Sequence, residues 1–366
     1  MTLSRRKFIT LIGGGTIVAA GGAAAGFATT RTPNVALAPW SAAGGYEDPR
    51  KWALSYAILA PNAHNRQPWQ VDLRTPDQVI IWRDTERDLP ETDPYHRQLV
   101  ISIGCFLEQM RIAAAERGVG VTFDHFPEGE DGPVAIAHFK EGATPDPLFP
   151  AIANRRSCKE PFTDQTLTAD QVTTLQDFAI IKTDSADVEA LKALTWDAWQ
   201  TEVYYPPTHK ESVDLMRLGK AEINATPDGI DLGGTFLESL MLAGLLTRDS
   251  LIDTESTSFR QGALTYQEML NATPAYAVLT SKGNSRADQL DAGRQWLRLN
   301  LKTTEMGLAL HPVSQALQEY PQMADHYTKA HEMLANPGET VQMLGRVGYG
   351  PQTPQTPRWP LETVII

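Results

Sequence analysis

Two stretches of sequence, far apart in the chain, decide the fold. The first is "HRQLVISIGCFLEQMRIAAAERG", from His96 to Gly118, and the second is "RADQLDAGRQWLRLNLKTTEMG", from Arg286 to Gly307. Both carry apolar residues at helical spacing and both end in glycine, a pattern typical of long amphipathic helices. We predict one long helix for each stretch.

The two predicted helices align with each other without a gap. Gly104 and Gly293 each precede the closing glycine by fourteen residues. Between these glycines the equivalent positions match in character, as in the pairs Leu107/Trp296, Met110/Leu299, Ile112/Leu301 and Glu116/Glu305. A glycine that ends a helix is common, but several matches in register indicate a duplicated α+β unit.

The sequence around each helix predicts further elements. Residues 48–59 read as a helix, and strand-like alternation predicts strands within 67–74, 77–84, 119–126 and 132–140. In the second part we expect helices within 148–162 and 168–179, the latter with Thr168 as N-cap, and strands within 275–282 and 340–350.

Composition narrows the class of protein. The 366 residues are 42% hydrophobic, enough for one large domain or two closely packed ones, and the net charge of −12 argues against nucleic acid as a partner. Cys105 and Cys158 could pair in an oxidising compartment, but two free thiols in the core are favoured. The sequence supports no metal site, because the eight histidines include no HExxH motif.

The first thirty residues have the composition of an export signal. "SRRKFIT" is followed by the apolar, Gly/Ala-rich run "LIGGGTIVAAGGAAAGFA", and the pair Arg5-Arg6 with Phe8 resembles a twin-arginine signal. An ordinary signal peptide or an N-terminal membrane anchor is the alternative. We expect a signal peptide over 1–30, a linker over 31–47, and a periplasmic or otherwise extracytoplasmic location. Because the twin-arginine route exports folded proteins, it predicts a cofactor acquired inside the cell.

Two motifs could bind a ligand. In "PNAHNRQPW", from Pro61 to Trp69, the amides offer a donor and an acceptor on one plane, which suits the edge of a heteroaromatic ring. A proline-stiffened turn whose amides bond backbone groups explains the motif equally well. In "NRRSCKEPF", from Asn154 to Phe162, clustered charged donors favour a phosphate, and a solvated basic turn is the alternative.

Together these motifs resemble the FMN-binding nitroreductase superfamily, specifically its Acg-type branch, in which two half-units are fused in one chain. The resemblance extends over about 48–366. It implies an α+β, nitroreductase-like fold in which two fused halves form an intramolecular pseudo-dimer, each half a mainly antiparallel sheet packed with helices. We expect the first half over 48–145, the second over 146–366, and a monomeric chain.

The resemblance also assigns site residues. The phosphate side of FMN would be held by Arg155, Arg156, Ser157, Lys159 and Arg358. The flavin ring would be contacted by Pro61, Asn62, Ala63, Asn65 and Gln67, and the backbone of Pro312, Val313, Ser314 and Gln315 would lie against flavin N5. No residue is predicted as a catalytic acid, base or nucleophile, and His64 falls at a variable position of the motif. The segment "PRWP" around Arg358 lacks the second arginine that branch members often have.

The distribution of the motifs predicts one flavin. The first half carries the amide-rich turn without an R-R-S element, and the second half carries R-R-S without such a turn. Fused halves of this kind complete a single FMN site at their interface. A long insert over 203–261 is expected to cover that site as a lid, with a surface excursion as the alternative.

These expectations define the candidate functions. The first is an exported FMN-dependent oxidoreductase with a small-molecule electron acceptor. Because soluble NAD(P)H is not expected outside the cytoplasm, its electron donor would be a membrane or periplasmic partner. The second is a protein that sequesters FMN under a closed lid. A signalling or structural protein with a vestigial flavin site is the third.

Overall fold

The structure is a computed structural model that describes residue 27 and residues 30–366. The predicted twin-arginine signal therefore lies almost entirely outside the described residues. The α-helices after residue 33 are α1 (Asn34–Ala42), α2 (Pro49–Ala57), α3 (Arg97–Glu116), α4 (Ala169–Gln176), α5 (Ser185–Tyr204), α6 (Pro206–Asp214), α7 (Gly219–Ala225), α8 (Thr235–Leu242), α9 (Arg248–Ile252), α10 (Thr257–Asn271), α11 (Arg286–Glu305), α12 (Ala324–Leu334) and α13 (Leu361–Val364). The strands are β1 (Trp69–Asp72), β2 (Gln78–Arg83), β3 (Val119–His125), β4 (Ala135–Glu141), β5 (Ile180–Lys182), β6 (Met216–Leu218), β7 (Ile230–Leu232), β8 (Ala275–Ser281), β9 (Ala309–Pro312) and β10 (Thr340–Gly348).

Two four-stranded sheets have the same topology. Their strand orders are β1-β2-β4-β3 and β5-β8-β10-β9, and every pair of neighbours is antiparallel. The long helices occupy equivalent places, since α3 connects β2 to β3 and α11 connects β8 to β9. The expected α+β fold, with two fused halves that each contain a mainly antiparallel sheet, is confirmed.

The two long helices pack against each other at their aligned glycines. A Cβ on Gly104 would lie 2.2 Å from the carbonyl oxygen of Leu290, and one on Gly293 would lie 2.0 Å from that of Ile101. Each contacted carbonyl belongs to the residue three positions before the partner glycine, so the contact is nearly symmetric. The apolar positions paired in the sequence alignment are all buried. Glycine is required here because only a bare backbone allows the helices this close.

Helix α3 forms the centre of the molecule. Asp93 begins it by accepting hydrogen bonds from the backbone N–H of Gln98 and Leu99, at 3.1 and 2.9 Å. Among the described residues α3 is the one helix long and apolar enough to cross a membrane, but 89% of that stretch is buried inside the protein. Its apolar character is that of a core helix.

Two expected segments differ from the structure. The range 31–47 is not a simple linker, because it contains α1, whose Trp40 donates a hydrogen bond of 2.8 Å from Nε1 to the carbonyl of Thr356. The helix expected within 148–162 is a short 3-10 helix, Phe149–Asn154. The chain then extends because the N–H of Cys158 donates to the carbonyl of Leu310 in β9. Both cysteines are free and buried.

The two halves are joined again at the C-terminus. The chain returns to the first half, where Ile365 forms a parallel bridge with Val71 of β1. The N–H of Ile366 donates to the carbonyl of Val71 at 2.9 Å. The tail between β10 and this bridge, residues 349–364, therefore belongs to the second half in sequence but lies against the first.

The second half carries a large insertion between β5 and β8. It includes α5–α10 and the two-stranded parallel sheet β6-β7, so it is longer than the insert expected over 203–261. The first half has a direct connection from β1 to β2 at the equivalent place.

Candidate functional site

Two buried arginines converge at the end of α2. Arg155 and Arg358 are each 2% exposed, and both donate from Nη2 to the carbonyl of Leu59, at 3.1 and 3.2 Å. Burial, together with the neighbouring positive charge, lowers the pKa of Arg155 to about 10 and that of Arg358 to about 9. Arg156 lies beside them with its guanidinium over the ring of Trp40. The second half thus places three cations at one point of the first half.

Several guanidinium nitrogens of these arginines have no hydrogen-bond acceptor among the described residues. Arg155 Nε and Nη1, Arg156 Nε and Arg358 Nε are buried without a hydrogen-bond partner. Among the described residues none of these three arginines forms a salt bridge with a carboxylate. Buried charged donors are normally paired, so the set fits a multivalent anion such as a phosphate. This favours the phosphate interpretation of "NRRSCKEPF" over that of a solvated basic turn.

Lys159 and Ser157 extend the cluster toward solvent. Lys159 is exposed, and its charge contributes to lowering the pKa of both His64 and His311, which places it near the amide-rich turn and near β9. The hydroxyl of Ser157, which is half-buried, makes no hydrogen bond within the described part of the chain. Both side chains are free to bind a ligand. We call Arg155, Arg156, Ser157, Lys159 and Arg358 the basic cluster.

The amide-rich turn has an unusual backbone. His64, Asn65 and Gln67 have φ values of 46°, 53° and 52°, in the left-handed region that side chains other than glycine rarely adopt. The turn is held by Asn62, whose Oδ1 accepts from the N–H of Gln67 at 2.7 Å, and by the N–H of Ala63, which donates to Ser102 Oγ. Strained backbone of this kind concentrates at functional sites.

The amides of the turn bind the protein itself. Asn65 donates from Nδ2 to the carbonyl of Pro357 and accepts at Oδ1 from Arg358, at 2.6 Å. Gln67 is fully buried, donates to the carbonyl of Pro227 and accepts from the N–H of Trp359. Asn62 Nδ2 donates to the carbonyl of Ala60. These hydrogen bonds are those of a backbone-bonding turn, and they attach the turn to the C-terminal tail and to the insert.

The turn after β9 has two backbone N–H groups without an acceptor among the described residues. Pro312 has no N–H, and the N–H of Val313 donates to the carbonyl of Leu344 at 2.9 Å. Within the described residues the N–H groups of Ser314 and Gln315 find no acceptor, and Gln315 Oε1 is buried and unpaired. The polar backbone edge predicted here is confined to Ser314 and Gln315.

Comparison with known proteins gives the family relationship. No family model matches the chain. It is 23% identical over 332 residues to the putative NAD(P)H nitroreductase Rv3131 of Mycobacterium tuberculosis, covering 85% of this chain and 89% of that protein. The chain is a homologue of a putative nitroreductase. The putative NAD(P)H nitroreductase acg of the same organism is 32% identical over 81 residues, 22% of this chain and 24% of that protein. The resemblance inferred from the motifs is thereby confirmed.

Among solved structures, the FMN-dependent nitroreductase NfnB from Mycobacterium smegmatis in complex with NADPH aligns with a TM-score of 0.36 at 16% identity. The alignment covers 58% of this chain and 94% of that one.

In this nitroreductase homologue the insert is fastened onto the amide-rich turn. Asp228 is buried and forms ion pairs with Arg66, Arg87 and Arg217, at 3.3, 3.3 and 2.6 Å. The N–H of the adjacent Gly229 donates to the carbonyl of Asn65 at 3.2 Å. The insert therefore closes over the turn that the first half contributes to the site.

His64 is a site residue that the sequence motif did not single out. Its Nδ1 is buried without a hydrogen-bond partner, and burial, with the charges of Lys159 and Arg66, lowers its pKa to about 4. The imidazole is therefore neutral at physiological pH and has one unpaired nitrogen. The sequence did contain a signal for this position. His64 lies between Asn62 and Asn65, and because His and Asn adopt left-handed backbone more readily than most residues, this run indicates a strained turn.

The chemistry of the site is that of anion binding and hydrogen bonding. Within residues 30–366, no group of three or more His, Cys, Asp or Glu side chains is placed to hold a metal ion. An open cleft of about 550 Å³ lies elsewhere, lined by residues of α3, β3 and β4 that include Arg111, Thr122 and His138. In the basic cluster, in contrast, Arg155 and Arg358 are buried, Arg156 and Ser157 are half-buried, and Lys159 is exposed.

Proposed function

We propose that this chain is an exported FMN-dependent oxidoreductase of the nitroreductase type, with one FMN where the two halves meet. The observation that carries the proposal is the basic cluster, in which four buried guanidinium nitrogens have no hydrogen-bond partner among the described residues. Homology to the putative NAD(P)H nitroreductase Rv3131 over most of both chains supports the reaction class. An NAD(P)H-type redox reaction needs a cofactor or substrate that exchanges hydride, and FMN carries both that capacity and a phosphate.

The residues of the cluster suit the phosphate of FMN. Arg155, Arg156 and Arg358 would supply charged donors that are already desolvated. The carboxylate of Asp231 lies within electrostatic reach of Arg358 and Lys159, but it forms no salt bridge with the three arginines. Ser157 and Lys159 would add a hydroxyl and an ammonium group from the exposed side. Because desolvated charge pairs bind more strongly than exposed ones, this arrangement favours a tightly held cofactor.

Other parts of the site would orient the ring. When bound, FMN supplies the hydride acceptor and donor atom. The free N–H groups of Ser314 and Gln315 lie where the resemblance places flavin N5, so they would hold that edge of the ring by hydrogen bonds. The unpaired Nδ1 of His64 could form a further hydrogen bond from the first half. The insert excludes water from the turn, and no side-chain acid or base is required of the protein.

The single-site proposal follows from the asymmetry of the halves. The basic cluster belongs to the second half and the strained turn to the first, and each motif occurs once. An arginine of the tail, Arg358, joins the two by donating to Asn65 and to the end of α2. One cofactor per chain then needs no second subunit, which is consistent with a monomer of pseudo-dimeric form.

The electron source follows from the proposed location. The N-terminal composition supports twin-arginine export to the periplasm or another extracytoplasmic space, where soluble NAD(P)H is not available. The reduced partner would then be a membrane or periplasmic donor, and the oxidised partner a small-molecule acceptor.

A second candidate is a protein that sequesters FMN without turnover. It is favoured by one observation, the attachment of the insert through Asp228 to Arg66 and Arg87 of the first half, which would hold a lid closed. The two candidates share the cofactor and differ in whether the flavin can be reduced.

The test is flavin content followed by reduction. We expect the exported protein to be yellow, with about one FMN per chain by absorbance, and the double variant Arg156→Ala with Ser157→Ala to lose the flavin. Arg294→Ala removes an exposed arginine that does not belong to the cluster, and this variant should keep the flavin. Unchanged flavin content in the double variant would refute the site.

A second measurement separates the two candidate functions. Anaerobic bleaching of the flavin by NADPH or a quinol identifies an oxidoreductase, whereas a flavin that resists these and small reductants identifies sequestration.

A further inference from the structure

A buried carboxyl group lies next to the turn that follows β9. Glu202, on α5 of the insert, is 6% exposed, and its oxygens accept from Gln318 Nε2 at 3.0 Å and from Ser212 Oγ at 3.4 Å. Among the described residues it forms no salt bridge with a Lys, Arg or His side chain. Because a buried carboxylate is normally paired with a cation, Glu202 has the surroundings of a neutral acid.

The groups that face Glu202 also favour its protonated form. They are the carboxylate of Glu211 on α6, the hydroxyl of Tyr266 on α10 and the hydroxyl of Tyr320, and none of them is a cation. Burial and the charge of Glu211 raise the pKa of Glu202, and its two hydrogen bonds lower it by less. Glu202 therefore keeps its proton at a pH at which an exposed carboxyl group has lost it.

The protonated acid has buried acceptors close by in the segment "QALQEY". Gln315 Oε1, Gln318 Oε1 and Tyr320 Oη all belong to this segment, and all three are buried without a hydrogen-bond partner among the described residues. A protonated carboxyl group donates one hydrogen bond, and buried polar atoms normally pair with a protein group or an ordered water molecule. The three atoms therefore suit a hydrogen-bonded network that includes the Glu202 carboxyl.

The network leads to the backbone N–H groups of Ser314 and Gln315. The N–H of Gln318 donates to the carbonyl of Gln315 at 3.0 Å, so one turn of 3-10 helix, Gln315–Leu317, separates the residue bonded to Glu202 from these donors. Burial and the charge of Glu202 raise the pKa of the Tyr266 hydroxyl, and a hydrogen bond with the Gln315 side chain lowers it. This hydroxyl therefore lies between the acid and the turn, where it can accept a proton on one side and donate one on the other.

Reduction of a flavin consumes a proton as well as two electrons. A hydride donor delivers all three together, so the protein then needs no acid. A partner that passes single electrons, such as a reduced haem or iron–sulfur protein, delivers no proton. We propose, on the basis of the proposed function, that Glu202 supplies this proton when a one-electron donor reduces the bound cofactor.

The Glu202 carboxyl is the source of the proton, and the donor protein is the source of the electrons. The O–H bond of the carboxyl breaks, the proton passes through the Tyr266 hydroxyl, and an N–H bond forms on the cofactor. Two electrons come from two molecules of the reduced donor, which are oxidised. The carboxylate then regains a proton from solvent. A buried acid at this place suits a protein whose electrons arrive without hydride.

The experiment reduces the full chain, loaded with FMN, by reduced methyl viologen, which donates one electron at a time. Anaerobic stopped-flow absorbance follows the bleaching of the flavin over a range of pH. Glu202→Gln keeps the shape of the side chain but has no acidic proton, and Tyr266→Phe removes the hydroxyl alone. The matched control is Glu189→Gln, at an exposed position of the same helix. Flavin content is measured for every sample, and an infrared spectrum of the flavin-free protein reports whether Glu202 is protonated.

We expect Glu202→Gln and Tyr266→Phe to slow bleaching about 100-fold, and Glu189→Gln to bleach at the rate of the wild type. The rate of the wild type should fall as the pH rises through about 7, because only the protonated acid donates, and the rate of Glu202→Gln should not fall in that range. At about pH 6 the infrared difference between the flavin-free wild type and Glu202→Gln should contain the C=O band of a protonated carboxyl group.

Three results would overturn the role of Glu202 and leave the proposed function standing. They are equal bleaching rates in flavin-loaded wild type and Glu202→Gln, a slower variant with the pH dependence of the wild type, and an infrared difference without the carboxyl band. A chain that binds no FMN, or whose flavin resists reduced methyl viologen, would refute the proposed oxidoreductase and the role of Glu202 together.

Discussion

Gly104 and Gly293 contact each other's helices where the two halves of the molecule meet. The Cβ that glycine lacks would lie 2.2 Å from a backbone carbonyl in one case and 2.0 Å in the other, and the same gap places Gly104 Cα 2.8 Å from that missing atom on Gly293. Because both obstacles are helix backbone, neither can move aside cheaply. The contact sets the distance between the two halves. It therefore also sets the positions of the residues that lie at the interface between them.

Substitution of either glycine should therefore destabilise the whole chain. We expect Gly104→Ala to lower the free energy of unfolding by about 1–3 kcal/mol or more, since the helices must separate. Gly262→Ala is the matched control, because Gly262 is exposed in helix α10 with nothing within 4 Å of its missing Cβ, and there alanine should stabilise by up to about 1 kcal/mol. Urea unfolding measures both. Equal effects at the two positions would contradict the tight crossing.

Asp228 should control whether the insert stays attached. Its substitution by Asn leaves Arg66 and Arg217 without a carboxylate in a poorly hydrated place, whereas Arg87 keeps its pair with Asp84. A loss of about 3–5 kcal/mol is expected for breaking a buried ion pair. Limited proteolysis should then cut within 203–261 sooner than in the wild type.

The control for Asp228 is Asp214→Asn, which removes an exposed pair with Lys210 and should change stability by no more than about 1 kcal/mol. If Asp228→Asn resists protease as long as this control, the insert is held by its apolar contacts and not by the ion pairs.

Glu202 makes stability depend on pH. This carboxyl is 6% exposed, accepts from Gln318 Nε2 at 3.0 Å and from Ser212 Oγ, and burial raises its pKa from 4.5 to about 7. Between these values the folded protein keeps the proton and the unfolded chain releases it. The free energy of unfolding therefore falls as pH rises from 4.5 to about 7, by as much as about 3 kcal/mol, and is constant for this group above that range.

Glu202→Gln should remove that decline. We expect the stability of the wild type relative to the variant to be higher near pH 5 than near pH 8, measured by urea unfolding at both values. Glu189→Gln, at an exposed position of the same helix, should leave the pH dependence of the wild type unchanged. If the difference in free energy of unfolding between the wild type and Glu202→Gln does not change with pH, Glu202 titrates normally.

His64 should be unfavourable for folding. Its φ of 46° and ψ of 22° suit glycine, and its buried Nδ1 lacks a partner. We expect His64→Gly to raise the stability of the flavin-free protein by about 0.5–1 kcal/mol and the β-branched His64→Val to lower it by at least as much. Calorimetry of both variants tests this. A stabilising His64→Val would mean that the left-handed conformation relaxes without cost.

Much of the architecture could be predicted from local patterns. The two long helices, the four strands of the first sheet, β8 and β10 of the second sheet and the Thr168 cap follow from spacing and capping chemistry, which act within a few residues. The short strands β5 and β9 did not follow from the sequence pattern. Segments 31–47 and 148–162 could not be predicted, because their conformation depends on distant partners, namely the C-terminal tail and β9.

The candidate site divides in the same way. The sequence by itself determined that basic and amide-rich residues exist in single copies on opposite halves, since composition and order are local properties. Tertiary structure alone decided that the arginines keep unpaired buried donors, that Asn65 and Gln67 spend their amides on the tail and the insert, and that His64 is left without a partner. The hydrogen-bond partner of a polar group depends on which donors and acceptors the fold places beside it. In this protein those groups come from residues that are hundreds of positions apart in the sequence. The two glycines have the same cause: Gly104 and Gly293 are equally spaced in sequence, but they form a contact only because the two halves pack together.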